Sequence, residues 1–193
     1  MVSDSIVISD SGADTTILDD NWLVTSSPKT CRFANLVGFD PTLGTTYGLA
    51  VVDAIAKTTV HSGQSILIGI RDGIYNSNSK HTLFSESQIR NSGIVIDSVA
   101  RTHRLTYDGL YGTQSIYYDT DNPNDWIDLV LVNGLMTFKV TKPTTDEINS
   151  MPIYWLTEKD KWRSSDLEDE NSIFSSFSNK NKQFRVDNSK HSN

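Results

Sequence analysis

Ser5-Ile6-Val7-Ile8-Ser9-Asp10-Ser11-Gly12-Ala13-Asp14-Thr15-Thr16-Ile17-Leu18 is the stretch on which the reading of this chain turns. Ile6, Val7 and Ile8 are β-branched, so they predict a strand, one that fixes the backbone in a dry interior. Asp10-Ser11-Gly12 predicts a tight turn, after which Thr15-Thr16-Ile17-Leu18 resumes an extended run. The pattern therefore delivers a carboxylate from the end of an apolar strand onto a turn. Its neighbours suit that task. Ser11 can offer a hydroxyl to hold an adjacent loop, Gly12 lets the turn close and backbone groups approach the carboxylate, and Ala13 fits a crowded floor. Asp, Ser and Gly are also ordinary turn residues, so the tripeptide alone reads first as a plain turn. Phosphorylation of Ser11 or Thr15 in an interaction motif would require exposed flanks, and these flanks are apolar.

A carboxylate in such a place suggests hydrolysis by a carboxylate pair. Two carboxyl groups sharing one proton and one water can cleave a peptide: one acts as base toward water, the other as acid toward the carbonyl oxygen. The chain supplies one suitable motif. Asp72-Gly73 and Asp108-Gly109 lack the intervening hydroxyl residue, and Asp97-Ser98 is followed by Val99. The second aspartate must then come from another copy, which implies a two-fold homodimer.

The rest of the chain sets bounds. It has 193 residues, 37% hydrophobic, with a formal net charge of -7. Frequent Val, Ile, Thr, Tyr and Ser favour β structure. The acidic balance argues against direct nucleic-acid binding. Cys31 is the only cysteine and His61, His81, His103 and His191 are scattered, so neither a disulfide nor a zinc site is expected. No metal or organic cofactor is called for. No basic-then-apolar leader and no membrane-length apolar run is present, so an intracellular location is expected, with no membrane partner.

Residues 33–60 alternate short apolar runs with Gly38, Gly44 and Gly48, as in hairpins with mobile connections. Ser65–Ile70 reads as a buried strand and Asn76–Ser79 as a polar turn. Residues 81–90 place Leu83, Phe84 and Ile89 near helical spacing, with Gly93 as the stop. Ile94–Asp97 and Ser115–Tyr118 read as strands. Asp128–Val132, Asn133-Gly134 and Leu135–Val140 predict a hairpin on a type I′ turn. Thr144–Ile148 predicts a short capped helix ending before Pro152. Beyond Ser164 the chain is polar, with an acidic knot at Asp166, Glu168, Asp169 and Glu170, and disorder is expected.

Ile8–Leu18 resembles the catalytic loop of retroviral and retrotransposon proteases. Lys80–Ile96 resembles the helix, glycine and closing strand that follow the protease core in copia-type LTR retrotransposon polyproteins. The likeness extends more weakly through Tyr111–Ile116, Lys142–Ile148 and Pro152–Thr157. It implies a mainly β, retropepsin-like acid-protease fold: a closed β-barrel-like core with one short helix over residues 1–103, a small β-rich extension over 104–163 and a disordered tail over 164–193. It implies a homodimeric aspartic endopeptidase acting on a Gag-Pol-type polyprotein. Asp10 would be the catalytic residue, Ser11, Gly12 and Ala13 the loop that supports it, and Asn35–Gly48, with Gly38, Gly44 and Gly48, the flap. Two departures stand out. The flap lacks a tight glycine cluster, and Ile66–Gly69 reads as a core strand, not as the motif before the helix. A catalytically inactive dimerisation or binding module on the same fold, or an interaction protein acting through its acidic tail, are the alternatives.

Overall fold

The computed structural model describes residues 4–26, 32–38, 42, 44–102, 112–121 and 123–159. In chain order the elements are β1 (Ser5–Asp10), β2 (Ile17–Leu18), β3 (Leu23–Val24), β4 (Arg32–Val37), β5 (Thr45–Thr59), β6 (Ser65–Tyr75), β7 (Thr82–Ser85), α1 (Glu86–Asn91), β8 (Val95–Asp97), β9 (Ser115–Tyr117), β10 (Ile127–Asp128), β11 (Val130–Val132), β12 (Leu135–Val140), α2 (Thr145–Ser150) and β13 (Ile153–Trp155). The fold is mainly β. Ten strands form one sheet, in the order β11-β12-β1-β7-β2-β6-β5-β3, with β13 added to β6 and β4 to β5; β10-β9-β8 form a second sheet.

The expected closed barrel is not formed. The larger sheet runs from β11 to β3 without a ladder joining those edges among the described residues. A single bridge, in which Lys57 and Thr141 exchange backbone hydrogen bonds of 2.9 Å, links β5 to the end of β12. One bridge is not closure, because a barrel needs a continuous ladder between its last two strands.

The stretch expected as a separate extension after residue 103 supplies strands to this same sheet. β12 pairs antiparallel with β1, from Ser5 opposite Val140 to Ser9 opposite Met136. β13 pairs parallel with β6, from Ile153 opposite Leu67 to Trp155 opposite Gly69. Met1–Lys161 accordingly forms one compact unit, so residue 103 does not mark the end of one. A Cβ on Gly69 would lie 2.4 Å from a ring carbon of Trp155, so the close packing of β13 on β6 requires glycine there. The tail expected over 164–193 lies outside the described residues.

The hairpin at Asn133-Gly134 follows its sequence signal. Both residues have positive φ, 52° and 84°, as a type I′ turn requires. The expected helix is shorter than its apolar spacing suggested. Leu83 and Phe84 belong to β7, because Thr82–Ser85 lies beside β1 in parallel register, and α1 begins only at Glu86. The core gathers Val7, Leu18, Trp22, Ile68, Ile70 and Phe84 with Ile96, Ile116 and Ile127 of the smaller sheet. Of the three β-branched residues of β1, only Val7 is fully buried; Ile6 is 40% exposed and faces the other way. The inward neighbours of Val7 are Ser5 and Ser9, which bond to the buried carboxylates of Asp19 and Glu86.

α2 is fastened to β5 by charge. Thr144 and Glu147 form a reciprocal capping box, and Lys57 Nζ reaches Glu147 Oε1 at 2.5 Å. The hydrogen bond from Lys57, then those from the Thr144 N–H and hydroxyl, hold the Glu147 carboxyl down to about 2 from an ordinary 4.5. A carboxyl depressed on folding stabilises the folded chain above its unfolded pKa, and that contribution disappears as pH falls through the folded value. Thermal melts across pH 4.5 to 2 are therefore expected to show a loss of stability in the wild type that Glu147→Gln flattens. Parallel curves for the two proteins would overturn the assignment.

Candidate active site

Asp10 ends β1 in the interior of the larger sheet, between β12 and β7. Its Cα partner on β7 is Ser85. Alternation along a strand sends neighbouring side chains to opposite faces. Ser9 points inward, where its hydroxyl donates to Glu86 Oε1 at 2.7 Å, and Asp10 occupies the other face, half-buried. Asp10 Oδ1 accepts the Gly12 N–H at 2.7 Å. A Cβ on Gly12 would sit 3.3 Å from that same oxygen, so glycine permits the close approach expected of it.

The loop is held from α1. The Ser85 hydroxyl donates to the Ala13 carbonyl at 2.7 Å and accepts the Gln88 N–H at 3.1 Å, so one side chain caps the helix and fastens the loop. Thr16 takes up both polar groups beyond the turn: its hydroxyl accepts the Ser85 N–H at 3.1 Å, and its own N–H donates to Gln88 Oε1 at 3.0 Å. Gln88 is fully buried, and its Nε2 donates to the carbonyls of Arg71 and Asp72, both at 3.3 Å. Glu86 accepts from Ser9 and, on its second oxygen, from Ser98 at 3.0 Å and Arg90 at 2.9 Å. A buried carboxylate with three donors is a fixed support, and it leaves Asp10 as the outward carboxylate of β1.

Among the expected site residues, the structure thus brings Asp10, Gly12 and Ala13 together on a braced turn. Ser11, expected to hold the neighbouring loop, is exposed, and Ser85 holds the loop. The candidate flap is a ribbon. Thr45–Leu49 of β5 pairs with β4 and lies beyond the start of the β5–β6 ladder at Ala50. Gly38 N donates to the Gly44 carbonyl at 3.4 Å, and Gly44 and Gly48 hold φ of 73° and 68°, open to glycine at little cost. The ribbon carries exposed apolar side chains: Phe33, Val37 and Tyr47 are 71%, 68% and 73% exposed. Among the described residues no cluster of three metal-ligating side chains occurs.

Reading along the chain did not reveal Ser85, Glu86 and Gln88 as the support of the loop. Ser85-Glu86-Ser87-Gln88 does carry the spacing of a capping box, a signal for the helix start. What it could not show is that Gln88 turns its amide to Thr16 instead of back to Ser85. Comparison of the chain with protein-family models, with curated proteins and with solved structures gives no match.

The bracing generates a test. Ser85→Ala leaves the Ala13 carbonyl without its hydroxyl partner and removes the cap of α1. Loss of a cap and one buried hydrogen bond is expected to cost about 1–3 kcal/mol in chemical denaturation. An unchanged denaturation midpoint would show that the loop does not depend on α1.

Proposed function

We propose that this chain is a retropepsin-like aspartic endopeptidase that works as a homodimer, with the Asp10 carboxylates of two copies sharing one proton and one water. The observation that carries the reading is the braced Asp10: an outward carboxylate at a strand end, its oxygen held by the Gly12 N–H at 2.7 Å, on a loop bonded to α1. The two segments whose sequences resemble the protease landmarks, Ile8–Leu18 and Lys80–Ile96, are thereby hydrogen-bonded to one another. The exposed apolar ribbon suits a clamp on an extended peptide, and a copia-type polyprotein is the expected substrate.

In this mechanism one Asp10 carboxylate removes a proton from water while the other, protonated, donates to the carbonyl oxygen of the scissile bond. A tetrahedral diol forms. The protonated carboxyl then gives its proton to the amide nitrogen while the other takes a proton from a diol hydroxyl, so the C–N bond breaks to a carboxylic acid and an amine and the pair is again singly protonated. Rigid support of the carboxylate matters here, because the water must lie within hydrogen-bonding reach of both oxygens before attack. The chemistry uses no metal.

A second copy also has a surface to meet. Ile6, Val130, Val132 and Leu135 are 40–56% exposed. By strand register they share the outward face of β12 and β1 with Asp10. An apolar patch beside a half-built site suits contact between copies.

Asp10→Asn is expected to abolish cleavage of a quenched peptide library at pH 5 with the melting temperature retained. Specific activity of the wild type is expected to rise with protein concentration until dimer dominates, and to follow a bell in pH whose limbs belong to the shared pair. Val132→Lys is expected to shift the concentration dependence upward without changing the plateau by more than about twofold. Activity of Asp10→Asn within about tenfold of wild type, or specific activity constant on dilution below the dimer dissociation constant, would exclude the two-chain site.

A further inference from the structure

Asp72 lies in β6, 7% exposed, with a φ of 57°. Left-handed backbone costs a residue with a Cβ, less for Asp than for most, and glycine would avoid that cost. The β5–β6 register shifts between Val52 and Ala54, so Asp72 sits at a bulge opposite Asp53, whose Oδ1 accepts the Asp72 N–H at 3.2 Å. Oδ1 of Asp72 accepts from the Arg32 guanidinium at 2.5 Å, while Oδ2 is buried without a hydrogen-bond partner. A strained backbone and a buried, half-satisfied carboxylate both oppose stability. Stability therefore does not account for Asp72, and its position does.

Asp72 stands between the two working parts of the site. Its carbonyl accepts from Gln88, whose Oε1 holds Thr16 at the end of the Asp10 loop. Its carboxylate holds Arg32, the first residue of β4 and hence the base of the ribbon. Arg32 lies opposite Val51 in the β4–β5 ladder, so its side chain reaches across β5 to β6. We infer that Asp72 is a positioning residue that sets the ribbon relative to the catalytic loop, with Arg32 as the cation it holds. Its role in catalysis rests on the protease reading above; its hold on the ribbon does not. The bulge gives the backbone the bend that aims the carboxylate at Arg32 while its carbonyl keeps the bond to Gln88.

The charges around it fit this role. Asp53, on the adjacent strand, places a second carboxylate beside Asp72, and Lys159 Nζ lies 3.9 Å from Asp53 Oδ2. The Asp72 oxygen is thus left to Arg32. The Arg32 side chain is 60% exposed, so its removal opens no cavity, and any general loss of stability from the unpaired Asp72 carboxylate would register in β1 and α1 as well as in the ribbon.

The test uses the full chain with Arg32→Ala, Arg32→Lys, Asp72→Asn and Asp72→Gly. Hydrogen exchange by mass spectrometry reads the ribbon without reference to activity. Arg32→Ala and Asp72→Asn are expected to speed exchange in residues 33–38 and 45–49 by about tenfold, with β1 and α1 unchanged, and Arg32→Lys to restore part of the protection. Asp72→Gly is expected to melt no lower than wild type while showing the same loosened ribbon. Peptide cleavage by Arg32→Ala is expected to show KM raised about threefold or more at nearly constant kcat. Unchanged ribbon exchange in the folded Arg32→Ala protein would overturn the inference, as would an equal rise in β1 and α1. An inactive wild type removes the catalytic reading alone, since the exchange result still decides what Asp72 holds.

Discussion

Parallel pairing of β1 with β7, with Ser85 beside Asp10, is the constraint from which the rest of the site follows. Parallel neighbours cannot be joined by a tight turn, so the intervening chain must cross over, and here it does so through β2 to β6. Because β7 runs directly into α1, the pairing delivers the first turn of that helix to the Asp10 loop. The same side chain then caps the helix and fastens Ala13. Local stability of a six-residue helix is slight in isolation, so α1 exists because the loop and the sheet hold it, as much as the loop exists because α1 holds it.

That reciprocity explains an interior unusually rich in polar groups. Ser5, Ser9, Thr16, Thr82, Ser85, Glu86 and Gln88 are all buried. Each is bonded: Ser5 to Asp19, Ser9 to Glu86, Thr82 to Trp22 Nε1 at 2.8 Å, and Gln88 to four groups through its side chain and N–H. Buried polar groups that are satisfied fix one arrangement, and losing one partner exposes the desolvation cost of the other. The loop bearing Asp10 is therefore held by directional bonds to which an apolar core could not lend the same geometry. Among the described residues Asp72 is the exception with an unbonded oxygen, and it lies where the loop's support meets the base of the ribbon.

Much of this was legible in the residues. Asn133-Gly134 has one low-energy role between two apolar runs, and it takes that role. Thr144 and Glu147 form the capping box that their spacing allows. Gly12 leaves room for a carboxylate oxygen that would lie only 3.3 Å from a Cβ there. In each case partner and target lie within a few residues, so local geometry alone decides the outcome. Leu83 and Phe84 show the limit. Their spacing suits a helix face, yet strand pairing with β1, more than seventy residues earlier, overrides it.

By itself, then, the sequence determined a β-rich chain, its hairpin turn, its capped helix and a strand ending in Asp10, because those depend on backbone preferences and neighbours a few positions away. Only the tertiary structure decided that β12 and β13 belong to the same sheet as β1 and β6, that the sheet stays open, and that Gln88 turns its amide to Thr16. It also decided that Arg32 reaches Asp72, forty positions away in sequence. Such contacts join distant strands whose residues have several possible partners. The choice among them is made by packing and by the need to satisfy every buried polar group at once, a condition that belongs to the whole fold and to no segment of it.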